Sequence, residues 1–130
     1  THIDWSGANN PLWIIRKGAT EIDEIKPDKQ PIGKYENPKP FNCHHFELTE
    51  GDTFYIFTDG FPDQFGGPKG KKFMYKAFKD LLLENNHLPM NEQLDRIKAI
   101  FHKWKHWPSE NGEIIDYEQI DDVCIIGVRL

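Results

Sequence analysis

The sequence predicts a layered α/β (α+β) sandwich. Short strand-like runs fill the first half of the chain, two helical patterns follow one another in the second half, and one more apolar run closes it. Runs of strands with helices inserted late are the pattern of packed layers. A chain of 130 residues is the size of one ordinary domain, so a multi-domain organisation is not expected.

The first element is a hairpin. Pro11 to Ile15, the turn Arg16-Lys17-Gly18-Ala19 and Thr20 to Ile25 alternate apolar and polar residues around a glycine. Residues 27 to 42 hold Pro27, Pro31, Pro38 and Pro40, and because proline removes ladder donors this stretch reads as a surface connection. Phe46 to Leu48 leads through the turn Glu50-Gly51-Asp52 into Thr53 to Thr58, a strand apolar or β-branched on both faces. Such a strand belongs in the middle of a covered sheet.

It ends at Asp59-Gly60, before a glycine-rich loop, Gly66 to Gly70. Met74, Phe78, Leu81 and Leu82 then line one side of a helix that stops near Asn85-Asn86. Beyond Pro89, the residues Leu94, Ile97, Ile100, Phe101 and Trp104 repeat at helical spacing, giving a second helix, and the pair is expected to cover one face of the sheet. Val123 to Leu130 is a second buried-looking strand.

Sixteen Lys and Arg face 21 Asp and Glu, giving a net charge of −5. That leaves no basic field for a phosphate backbone and argues against nucleic acid as a partner. No run approaches the roughly 18 apolar residues of a membrane span, so a soluble, cytoplasmic segment without membrane contact is expected. Cys43 and Cys124 match no zinc or redox spacing and read as reduced, partly buried thiols. The chain opens at Thr1, and the expectation is that it comes from a longer protein.

Position points to chemistry. Asp59 stands at the C-terminal end of one buried strand, and Asp121 and Asp122 stand at the start of another. If those strands are antiparallel neighbours, the carboxylates meet at one rim of the sheet. Clustered carboxylates repel unless a cation neutralises them, and oxygen donors without His or Cys suit a hard ion such as magnesium or manganese. The alternative is an ordinary Asp-Gly turn and an ordinary Asp-Asp loop.

Glu50 to Phe61 resembles the "GD-x-(apolar)-TDG" signature of the metal-dependent protein phosphatases (PPM, type 2C-like), nearest the bacterial SpoIIE/RsbU-like serine phosphatases. Ser6-Gly7-Ala8-Asn9-Asn10-Pro11 resembles that family's "AGHNP" segment, Pro31-Ile32-Gly33 its "P-(apolar)-G" turn, and Asp121-Asp122-Val123-Cys124 its closing "DD-(apolar)-T". The four stand in the family's order and run over essentially the whole chain.

The resemblance implies antiparallel β-sheets flanked by helices and a binuclear manganese or magnesium centre. Asp59 is implied as one metal ligand and Asp121 as another, with Asp122 kept as a second candidate and Gly60 as site backbone. The implied substrate is a phosphoserine or phosphothreonine protein, for which an anti-sigma-factor antagonist is the family's common target, and a sensor or regulatory domain is implied upstream. Asn9 stands for the family's His and Cys124 for its Thr. The family's earlier "GD-x-x-GHG" segment has no match. Residues 1–130 are therefore expected to be the C-terminal portion of one phosphatase domain, incomplete at its N-terminal side and inactive alone. The alternative function is a phosphatase-like interaction module in bacterial signalling that has lost its metals.

Other constellations are weaker. Gly66 to Lys72 lacks the first glycine and the Ser/Thr of a nucleotide-binding loop, leaving a solvated basic turn or a basic lip for an anionic phosphoprotein. His102 and His106 share a helix face and could bind a transition metal, against a solvated face carrying Lys103 and Lys105. Cys43-His44-His45 reads as surface loop, since neighbours in an extended segment point opposite ways. The stripe Phe101, Trp104 and Trp107 reads as core, or as a docking surface if exposed.

Overall fold

The computed structural model describes all 130 residues, Thr1–Leu130. In chain order the elements are β1 (His2–Trp5), β2 (Leu12–Ile15), β3 (Asp23–Ile25), β4 (His44–Glu47), β5 (Thr53–Phe57), β6 (Phe65–Gly66), β7 (Lys71–Lys72), α1 (Tyr75–Asn85), α2 (Met90–Lys105), β8 (His106–Pro108), β9 (Ile114–Asp116) and β10 (Ile125–Arg129). All strand pairs within the sheets are antiparallel. The mixed α/β architecture is the one the sequence predicts. The chain forms two compact units, Thr1–Phe57 with Ile125–Leu130, and Thr58–Cys124.

The first unit is built on a four-stranded sheet in the order β10-β5-β2-β3. β2 and β3 form the expected hairpin, although the second arm starts only at Asp23. Leu12 and Ile14 on one face pack with Leu48, and Ile3, Trp5, Phe46 and Phe54 pack against that cluster. The β1–β4 pair therefore lies on this face and buries its apolar side there. Trp13 and Tyr55 on the other face are fully buried, and the Trp13 and Phe57 rings sit 4.4 Å apart. β5 is central, as its composition predicts, but its cover is incomplete: Ile56 is 36% exposed and its partner Ile126 is 48% exposed. β10 is an edge strand, so nothing beyond it in the sheet shields that end of the face.

Asp52 ties this unit together. Its buried carboxylate accepts hydrogen bonds from the backbone amides of Thr49 (3.0 Å) and Lys17 (2.8 Å), and from the Arg16 guanidinium (2.9 Å). The Thr49 amide is the largest influence, and with Lys17 and Arg16 it holds the acid at about 2 against an ordinary 3.8, although burial pulls the other way. A lowered folded-state pKa stabilises the fold above the unfolded value and loses that contribution as pH falls towards the folded one. Stability is thus expected to drop between about pH 4 and pH 2. In Asp52→Asn this part of the acid-induced loss should disappear, on a base that is lower by about 1–3 kcal/mol at neutral pH. Melting curves at pH 7, 4 and 2.5 check both points.

The second unit has an aromatic core. Phe61 stacks on Phe78 at 4.9 Å, meets Phe101 at 4.9 Å and takes Phe73 edge-on at 5.1 Å. Trp104 meets Phe73 and Trp107 edge-on, so the aromatic stripe, which runs from Phe101 and Trp104 of α2 to Trp107 of β8, is half-buried and packs against this core. Both helices form where predicted, with two corrections. Met74 is 59% exposed because it precedes α1 in a left-handed conformation (φ 78°), and Leu94 is 51% exposed. The buried position in that turn of α2 is Gln93, whose amide donates to the carbonyl of Leu88 at 3.0 Å in the interhelical loop.

The two cysteines are free and exposed, which corrects the expectation of partial burial. His44 and His45 belong to β4 rather than to a loop, and His45 pairs with Asp4 across the strands at 2.7 Å.

Candidate metal centre

The antiparallel register pairs Phe57 with Ile125, so the end of β5 lies beside the start of β10, as the positional reading of the carboxylates requires. Within the second unit the next residues continue that apposition. The amide of Thr58 donates to the carbonyl of Cys124 at 3.0 Å. The Thr58 hydroxyl donates to the carbonyl of Asp122 at 3.1 Å and accepts from the amide of Cys124 at 3.0 Å. One threonine therefore fastens the Asp59 turn to the Asp121–Asp122 segment at two points.

Gly60 makes the approach possible. A Cβ there would sit 2.2 Å from the carbonyl oxygen of Asp122 and 3.2 Å from a methyl of Val123. Only a residue without a side chain lets the turn come so close.

The three carboxylates differ in what they already hold. Asp59 is exposed and its carboxylate has no hydrogen bond or ion pair within the chain; the turn is closed instead by its carbonyl, which accepts from the Asp63 amide at 3.0 Å. An aspartate that serves a turn bonds the backbone with its side chain, so the turn-only reading of Asp59 lacks its expected bond. Asp121 is exposed and gives one oxygen to the Asp122 amide at 2.8 Å. The Asp122 side chain is exposed and unpartnered. Asp121 also lines a shallow cleft with Gly60, Asp63, Gln64, Phe65 and Ile120.

The donor chemistry fits a hard divalent cation, since all three are carboxylates carried on two segments that Thr58 fastens together. The donor number does not suffice: no three His, Cys, Asp or Glu side chains converge in a way that could hold a metal ion. The same holds for His102 and His106. Their rings lie 4.4 Å apart, but His106 is the first residue of β8 rather than part of the helix, and its Nδ1 atom is taken by its strand partner Asp116 of β9 at 2.5 Å.

Two supporting residues were not singled out in the sequence. Thr58 enters there only as the last strand residue and as the threonine of the TDG stretch. Gln64 is buried, donates to the carbonyls of Phe65 and Glu118 at 2.9 Å each, and accepts from the Trp104 indole at 2.9 Å. It holds the segment leading to Asp121 against the turn following Asp59. The glycines of the Gly66–Gly70 loop have a packing cause as well: a Cβ on Gly66 would lie 2.1 Å from the Trp104 carbonyl, and one on Gly67 would lie 2.4 Å from its ring. Asn9 takes φ 63°, a left-handed conformation that asparagine tolerates, with its amide bonded to the Asp28 carbonyl.

A strand-end TDG turn fastened against a closing Asp-Asp segment, in a mixed sheet-and-helix fold, defines the class of protein. The chain belongs to the SpoIIE family: the family model described as Stage II sporulation protein E (SpoIIE) matches residues 1–130. Among solved structures it is similar to the SiaA-PP2C domain of Pseudomonas aeruginosa, at 28% sequence identity and a TM-score of 0.77, covering 99% of this chain. The chain spans 46% of that structure's chain. No curated protein matches it.

Proposed function

We propose that this chain is part of a metal-dependent protein serine/threonine phosphatase, with Asp59 and Asp121 or Asp122 as carboxylate ligands of a manganese or magnesium centre. The observation that supports it most is the double hydrogen bond of Thr58, which holds an unpartnered Asp59 against the Asp121–Asp122 segment. Asp59 and Asp121 or Asp122 would hold part of such a centre in the full domain, and the chemistry it would supply is activation of a water and neutralisation of phosphoryl charge. The residues of this chain present charge at one rim, fix its spacing through Thr58 and Gly60, and leave a cleft beside Asp121 for the phosphorylated side chain.

The proposed substrate is a phosphoserine or phosphothreonine on a regulatory protein, with an anti-sigma-factor antagonist as the family's usual example, acting in the cytoplasm under an upstream sensor domain. No helix is long and apolar enough to cross a membrane. The retained carboxylates favour catalysis over a metal-free interaction module.

The direct test is hydrolysis of a phosphoserine protein and of an aryl phosphate by the purified full-length protein, with manganese and with a chelator. Turnover that needs the metal supports the reading; absence of turnover with a folded protein contradicts it. The 130-residue chain alone is expected to bind manganese weakly and to show negligible turnover, because too few ligands remain to outcompete the ion's hydration. Robust metal-dependent hydrolysis by this chain would show that no further ligand is required.

A further inference from the structure

The β6–β7 hairpin ends on a lysine that the proposed site does not use. Lys72 is paired with Phe65 in the hairpin register. Its ammonium lies 3.4 Å from an Asp63 carboxylate oxygen and 5.8 Å from the centre of the Phe65 ring. Asp63 and Phe65 both line the cleft that also contains Gly60 and Asp121. The charge is therefore held by two walls of the cleft, on the same side chains a ligand there would meet.

The pair is loose. At 3.4 Å and roughly half exposed on both partners, Lys72 and Asp63 are bound by a contact of the kind that contributes little in water. A phosphate dianion offers a lysine more charge and more acceptor oxygens than one carboxylate does. Lys69 and Lys71 on the same hairpin are also exposed and lack ion pairs, whereas the charged residues that line the cleft itself are Asp63 and Asp121, so Lys72 is the cation closest to its lining.

We infer that Lys72 is a substrate-binding residue, which leaves Asp63 to take an oxygen of the phosphorylated serine or threonine entering the cleft. Phe65, 39% exposed, and Ile120, 77% exposed, supply apolar walls for the residues that flank it. The inference rests on the phosphatase reading for the identity of the ligand, and its test is chosen not to need turnover.

Binding of a phosphoserine peptide and of its unphosphorylated counterpart to the full-length protein is followed by fluorescence anisotropy in the presence of chelator. The wild type is expected to prefer the phosphopeptide. Lys72→Ala should reduce that preference about tenfold, as loss of one charge-assisted hydrogen bond does, while Lys72→Arg restores most of it. Because Lys72 is exposed, the Ala variant should keep the wild-type circular dichroism spectrum. Equal binding of the two peptides by the wild type, or an undiminished preference in a folded Lys72→Ala variant, overturns the inference. Failure of the phosphatase reading is seen separately, as absence of manganese-dependent hydrolysis by the wild type.

Discussion

Replacing Asp59 by Asn in the full-length protein is expected to abolish manganese-stimulated dephosphorylation of a phosphoserine protein while leaving the melting temperature unchanged. The substitution keeps the size of the side chain and removes one negative charge. Asp59 is exposed and its carboxylate bonds nothing in the chain, so stability should move by no more than about 0.5 kcal/mol, the usual range for a surface change. Losing a ligand charge from a centre that neutralises developing charge in the transition state should lower the rate by about a hundredfold to a thousandfold or more. A role confined to the turn predicts the opposite pattern, lower thermal stability with near-normal rate per folded molecule. Melting temperature and metal-dependent rate measured on one preparation separate the two.

Gly60→Ala is expected to fail for a different reason. The added methyl would overlap the Asp122 carbonyl oxygen, 2.2 Å away, and its carbon, 2.9 Å away, and both are backbone atoms that cannot rotate aside. Relief requires the Asp59 turn and the Asp121–Asp122 segment to move apart, straining both hydrogen bonds of the Thr58 hydroxyl. Overpacking of this kind costs about 1–3 kcal/mol. The variant should therefore melt earlier and also lose activity in its folded fraction, because the separation that matters lies between the carboxylates. Thr58→Val, which keeps the shape and removes the hydroxyl, should show a milder form of the same coupled loss. A Gly60→Ala variant with wild-type melting and rate would mean that the close approach has no part in positioning the site.

The strands that carry the candidate ligands were legible because their composition is unambiguous: Thr53 to Phe57 and Ile125 to Arg129 are short apolar or β-branched runs bounded by Asp-Gly and Asp-Asp. Both helices were legible from their 3.6-residue period, and the excess lay at the margins of the stripe. Met74 sits before the first turn in a left-handed conformation, and Gln93 rather than Leu94 is buried because the interhelical loop offers its amide carbonyl partners. Other elements were not legible. β1 has only four residues and pairs with β4 some 40 positions later, so neither strand is recognisable without the other. The pairs β6–β7 and β8–β9 involve strands of two and three residues, too short to show any period.

Of the candidate site, the apposition of the strand ends next to Asp59 and Gly60 and to Asp121 and Asp122 was legible by position. What fixes it in place was not. Thr58 and Gln64 act through bonds to backbone amide and carbonyl groups 54 to 66 residues away in sequence, and such bonds leave no local pattern. The opposite outcome applies to Asp52, the other aspartate of the GD-x-(apolar)-TDG stretch: its burial with Arg16, Lys17 and Thr49 gives it a structural role in the first unit.

The central claim is that the carboxylates at the two strand ends share a divalent cation. Electron paramagnetic resonance of manganese titrated into the full-length protein tests this most directly, with Asp59→Asn, Asp121→Asn and Asp122→Asn compared at equal folded concentration. Tight manganese binding by the wild type, weakened in Asp59→Asn and in one of the two downstream variants, is the expected result and also decides between Asp121 and Asp122. Manganese binding that is the same in all three variants as in the wild type would contradict the assignment.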